Sequence, residues 1–366
     1  MTGFLLARPD SVVRGTGVRA VHRDPWQAAA ALRDGSARAI AGALPFDPRE
    51  AAALVEPDEL IDAVGSWRPA ALPELPAVRI VDRTPEPAEH RARVARLVAL
   101  LNEPGARLRK VVAARSVRVA ADAALDPEVI AGYLLIRHPR ANVFAVDLTP
   151  AGRPGATLLG ASPELLIHRR GTAVELYPLA GTLPRLADPV ADTAQADLLV
   201  ASAKNHAEHA FVVDWIAERL APVCTGLSVP ERPRLVATHD VWHLGTPIHG
   251  VLREPAPSAL ELALLLHPTP AVCGTPTADA LEYITGHEED RGFYGGAVGW
   301  CTADGDGTWV VAIRSAELAA GGRELRAYAG GGIVAASDPG AELAETTAKL
   351  RTLLGALDCP VPSGEA

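Results

Sequence analysis

Apolar and polar positions along this chain repeat in two rhythms, and the strand-like rhythm is the commoner one. Short apolar runs closed by turn residues predict strands at RAIAGALPFDP (38–48), AVRIVDR (77–83) and NVFAVDL (142–148). RLRKVVAARSVRVAAD alternates from Lys110 onward and suits a strand with one polar face. TLLGASPELLIHRRGTAVELYPLAGTLPR predicts two strands joined at Arg170–Gly171, and RLVATHDVWHLGTPIHGVL two more around His243. GAVGWCT and TWVVAIRSAEL form a hairpin turning at Asp304–Gly307. Helical spacing marks Pro87–Leu101, ended by Asn102, Pro104 and Gly105, and also Pro127–His138. One long helix is expected from about Asp192 to Leu220, and ALELALLL forms another that stops before Pro268. After LRAYA, the run Gly330–Gly332 reads as a turn. Ser337, Asp338 and Pro339 then open a last helix.

Strands far outnumber βαβ units, so the expected class is α+β, with large antiparallel sheets and flanking helices. Residues 1–85 read as a β-containing N-terminal part with a structural role. Residues 86–366 carry the chemistry, and the whole is expected to be one compact domain.

Composition narrows the function. A net charge of -9 argues against nucleic acid. No apolar run is long enough for a membrane span, and MTGFLLARPDSVVRG lacks the features of a signal peptide. Four scattered cysteines form neither a metal motif nor a disulfide framework, which fits a reduced cytoplasmic compartment. The cation usage is unusual: of 35 Lys+Arg only Lys110, Lys204 and Lys349 are lysine. A lysine in such a chain can be one that arginine cannot replace, since a desolvated amine can lose its proton. Chance codon use is the other explanation.

Several residues could carry chemistry, each with a plain alternative. Offsets of 3, 4 and 7 put Glu342, Glu345 and Lys349 on one helix face, as a site or as a solvated ion pair. Lys110 is a base or an exposed edge residue. Glu164 precedes apolar residues and follows a proline; it is a carboxyl with a raised pKa or an exposed turn residue. Glu208 suits a hard cation, while His206 and His209 at i,i+3 are a weak zinc pattern. Arg314 lies among apolar residues and needs an anion, either a ligand or a salt-bridge partner.

Taken together, ordered strings resemble the chorismate-utilising enzymes, and among them the isochorismate synthases. They are KVVAAR, GASPELL, YPLAGT, SAKNHAEH, HLGTPIHG, LHPTPAVCGTP, DRGFYGGAVGW, VVAIRSAE, YAGGGIV and ELAETTAKL, spanning residues 110–350. LPFD near Phe46 extends the likeness toward the N-terminus. The resemblance implies Mg²⁺-dependent isomerisation of chorismate, with water added at C2 and the C4 hydroxyl lost. It assigns Lys110 as the base on water and Glu164 as the acid. Glu208 and Glu345 hold Mg²⁺, with Glu342 and Asn205 behind them. Tyr294, Arg314, Gly330, Gly332 and Lys349 bind carboxylate, and Gly181, Thr182, His243 and Ala271 line the pocket.

Two positions depart from the family: Asn205 stands where relatives carry an acid, and Gly331 replaces an alanine. Salicylate synthases share the scaffold and also eliminate pyruvate, but typically carry threonine where this chain has Ala271. Aminating relatives use ammonia from a glutaminase, whereas Lys110 and Ala180 fit water. No glutaminase subunit, nucleic acid or membrane partner is expected. A non-catalytic paralogue would have lost Lys110 or Glu164. Isochorismate feeds catechol siderophore, salicylate and menaquinone routes alike.

Overall fold

Period-two alternation in the first strand, Gly3–Ala7, sends Phe4 and Leu6 to one face and Leu5 and Ala7 to the other. Phe4 and Leu6 pack with Ala41, Val298 and Val310 of a second sheet. Leu5 and Ala7 join a core with Ile130, Leu134, Leu350 and Leu353 from the helices Pro127–Arg137 and Pro339–Ala356. The second sheet is covered on its far side by the helices Pro25–Arg33, Ala203–Leu220 and Ala259–Leu266. The computed structural model, which describes residues 3–69 and 72–360, is therefore layered helix, sheet, sheet, helix. The α+β class with large antiparallel sheets is as the pattern predicts.

The first sheet has ten strands. Its order begins Gly274–Thr275, Lys110–Ala121, Glu324–Ile333, Ser315–Leu318, Thr157–Ser162 and Asn142–Asp147. The second has nine, with Leu165–Arg170, Gly307–Val311 and Ala297–Thr302 at its centre. A three-stranded sheet joins Leu179–Pro184, Val241–Gly245 and Arg234–Ala237. Strands from before residue 65 enter both large sheets. Among the described residues, no helix is long and apolar enough to cross a membrane. All four cysteines are free and buried.

Four local expectations are corrected. Residues 157–184 make four strands instead of two, because Pro163 and Pro178 cannot donate to a ladder and each ends a strand. The second hairpin arm breaks at Arg314, whose φ is 52°, and its two halves lie in different sheets. The long helix divides at Ser202, which caps Ala203–Leu220 through the Asn205 amide. Residues 234–252 form three strands.

A fifth correction bears on the site. Gly330–Gly332 is no turn but part of the strand Glu324–Ile333, in register with Val112–Ala114. The other edge is unpaired beyond Ala327. The Gly330 carbonyl accepts there from Lys349 Nζ at 2.8 Å. N–H and C=O of one strand residue point the same way and alternate along the strand. The amides of Gly330 and Gly332 therefore face the open edge, where their N–H groups are free to donate to a bound anion.

Candidate active site

Two chain crossings place the acid and the arginine together. At Ser162–Leu165 the chain passes from the first sheet to the second, and at Val311–Ser315 it passes back. The crossings are stitched by Ala161 N–H to the Arg314 carbonyl (3.1 Å) and Val311 N–H to the Glu164 carbonyl (3.2 Å). Glu164 and Arg314 thus share one cavity where the sheets part. It has about 580 Å³ of empty space counting its open mouth. Gly181, Thr182, Glu208, His243, Ala271, Tyr294, Gly330, Gly332 and Lys349 also line it. Among the described residues, none before Val112 lines it.

Glu164 is buried, which rules out the exposed turn residue. Burial pushes its carboxyl up to about 8 against a Leu179 backbone hydrogen bond and the charges of Lys110, Lys349 and Arg314. It is a neutral acid near pH 7. Arg314 Nη2 lies 3.0 Å from His243 Nε2, and Thr182 Oγ1 lies 2.9 Å from His243 Nδ1. A guanidinium only donates, so Nε2 accepts and the proton sits on Nδ1, directed at Thr182. Burial, then Arg314, keep His243 neutral. Arg314 also reaches Thr352 (3.4 Å), which donates to Asp240 at 3.2 Å. Tyr294 stacks on Tyr328 at 5.2 Å, and burial lifts its hydroxyl to about 12, so it remains a donor.

The other end of the cavity is ionic. Lys110 is fully buried at the start of its strand, so the exposed-edge alternative fails. Its amine lies 3.1 Å from Glu208 and does not itself reach the cavity wall. Burial would raise Glu208, but Lys110 and Lys204 outweigh it and hold the carboxyl below its ordinary range. Lys349 bridges Glu345 (2.6 Å) and the Gly330 carbonyl. Glu342 accepts from Lys204 and from Ser337, both at 2.7 Å, through one oxygen. Burial and then repulsion from Glu345 raise Glu342 to about 7. A Cβ on Gly332 would overlap the Glu208 carboxylate, so only glycine lets strand and carboxylate approach this closely.

Among the described residues, no three His, Cys, Asp or Glu side chains form a ready metal set. The zinc pattern dissolves, because His206 bonds the Val200 carbonyl and His209 the Thr246 hydroxyl. The donors fit a hard cation better. Glu345 and Glu208 are close enough to Glu342 to help raise its carboxyl. Oε2 of Glu342 is buried with no hydrogen-bond partner. Such a cation needs only one or two protein carboxylates, the rest being water and substrate.

Asn205 is buried, its amide nitrogen donating to Ser202 at 2.9 Å and its Oδ1 left without a hydrogen-bond partner. Lys204 was not singled out in the sequence, although the scarcity of lysine pointed to it. Asp240 and Thr352 carried no signal, since both act from behind Arg314.

Residues 54–358 match the family model described as chorismate binding enzyme. The chain belongs to the chorismate-binding enzyme family. A Mycobacterium tuberculosis protein, provisionally named isochorismate synthase MenF, is 48% identical over 97% of this chain and 95% of its own length. Isochorismate synthase DhbC of Bacillus subtilis is 43% identical over 87% of this chain and 80% of its own. A crystal structure from Bacillus anthracis, provisionally titled 2,3-dihydroxybenzoate-specific isochorismate synthase DhbC, superposes with a TM-score of 0.88 at 37% identity. That match covers 97% of this chain and 95% of the other.

Proposed function

We propose that this chain is an isochorismate synthase, an isomerase that converts chorismate to isochorismate by adding water at C2 with loss of the C4 hydroxyl. One observation carries the reading: a buried, neutral Glu164 shares a cavity with a lysine–carboxylate cluster. Hydroxide is a poor leaving group, so a neutral acid must protonate it as it departs. Glu164 supplies that proton. Lys110 takes a proton from the incoming water, and the two transfers balance.

Glu208 cannot fully serve two partners. A second cation on Glu208 would take away the partner of Lys110. Chorismate is a dianion. Arg314, Tyr294 and the open-edge amides of Gly330 and Gly332 offer donors for its carboxylates. Gly181, Thr182, His243 and Ala271 shape the pocket wall. Glu208 and Glu345 would hold Mg²⁺, which when bound balances the charge of the ring carboxylate. Glu342 and Asn205 stand behind them.

The test is incubation with chorismate and MgCl₂, followed by chromatography for isochorismate, salicylate and pyruvate, with and without ammonium. Isochorismate alone is expected. Pyruvate release would make the chain a salicylate synthase, and an ammonium-dependent amine product would make it an aminating relative.

A further inference from the structure

Lysine occurs three times in 366 residues, and all three ammonium groups converge on three buried glutamates. The pairing is one to one: Lys110 with Glu208 at 3.1 Å, Lys204 with Glu342 at 2.7 Å and Lys349 with Glu345 at 2.6 Å. Lys349 lines the cavity, and Lys110 has a chemical role in the reading above. Lys204 has neither. It stands just past the break at Ser202, in the first turn of Ala203–Leu220, and does not line the cavity.

Its charge is nevertheless placed to act. Three buried carboxylates in one site repel, and each needs a counter-ion while no metal is present. A divalent cation on Glu208 and Glu345 would meet an ammonium already engaged with the third carboxylate. Like charges at short range in a poorly hydrated site oppose one another strongly. An arginine there would grip Glu342 with two bonds and a fixed fork, where lysine makes a single movable contact.

We propose that Lys204 is a built-in competitor of the cation. It holds Glu342 in place in the metal-free protein and caps the affinity for Mg²⁺. Firm binding then awaits the added negative charge of the substrate carboxylate, which couples metal and substrate. The proposal rests on the Mg²⁺ reading, and its test separates the two.

MgCl₂ is titrated calorimetrically into the substrate-free full chain, as wild type, Lys204→Met, Lys204→Gln and Lys204→Arg. The neutral variants should bind Mg²⁺ at least about tenfold more tightly, and Lys204→Arg should bind no more tightly than wild type. MgCl₂ should also raise the Tm of Lys204→Met more than that of wild type. A wild type too weak to saturate beside a saturating neutral variant supports the proposal equally. Unchanged or weaker binding in both neutral variants, beside measurable wild-type binding, overturns it alone. Binding by none of the four proteins overturns this proposal, whereas the Mg²⁺ reading itself falls only if chorismate turnover is the same in EDTA as in MgCl₂. Lys204→Gln keeps the test open if Lys204→Met fails to fold.

Discussion

The two ends of the cavity treat the same side chain in opposite ways. Glu164 and Glu208 are both buried, at 3% and 7% exposure, yet burial drives one up to about 8 while the other stays below its ordinary range. What separates them is the nearest cation. Glu208 has Lys110 at 3.1 Å and a further pull from Lys204. Near Glu164, Arg314 points instead at the neutral ring of His243. A carboxyl with a counter-ion becomes a ligand, and one without becomes an acid. One small cavity thus holds an ionic end and an end with a neutral carboxyl, the two features on which the proposed cation binding and proton donation rest.

The sharpest way to break that contrast is to remove the acid. Glu164→Gln should lower kcat by about 10²–10⁴-fold with Tm nearly unchanged, because the amide matches a neutral carboxyl in shape but has no proton to give. Full activity would end the assignment. Lys110→Ala should lower kcat by a similar factor in a protein that stays folded but is less stable without metal, since it strands Glu208. Steady-state kinetics beside thermal melts check both.

Arg314→Lys addresses binding instead. Loss of the planar fork should raise KM for chorismate by about tenfold or more, with a smaller change in kcat. The pH profile tests the contrast without mutation. Glu164 must be protonated to act, so kcat/KM should fall as pH rises through about 8. That limb should vanish in Glu164→Gln. The smallest effect is expected at Asn205→Asp. The amide nitrogen is engaged with Ser202, so Mg²⁺ affinity should change by less than about threefold. A large gain would mean that Asn205 swings toward the ion.

Much of this was readable from the chain. Period-two alternation announced the sheets because a half-buried strand must put every second side chain in the core. The helix Pro87–Leu101 matched its expected bounds, having a proline to open it and Asn102 to end it. The scarcity of lysine marked three positions, and all three met at one site, where a compact amine on a flexible stem pairs with a single carboxylate in a way a guanidinium fork does not. Strand ends were harder. Pro163, Pro178 and Arg314 were visible, but a sequence does not say that a chain leaving one sheet will enter another.

The residue types therefore settled the fold class, the family and the candidate list, because periodicity and motif order are local properties. Tertiary structure alone decided which carboxyl is neutral and which is paired with a cation. It also decided that Gly330 and Gly332 face an open strand edge, and that Lys204 belongs with Glu342, 138 residues away. Charge state follows from desolvation and from the distance to the nearest counter-ion. Neither exists until the sheets have packed.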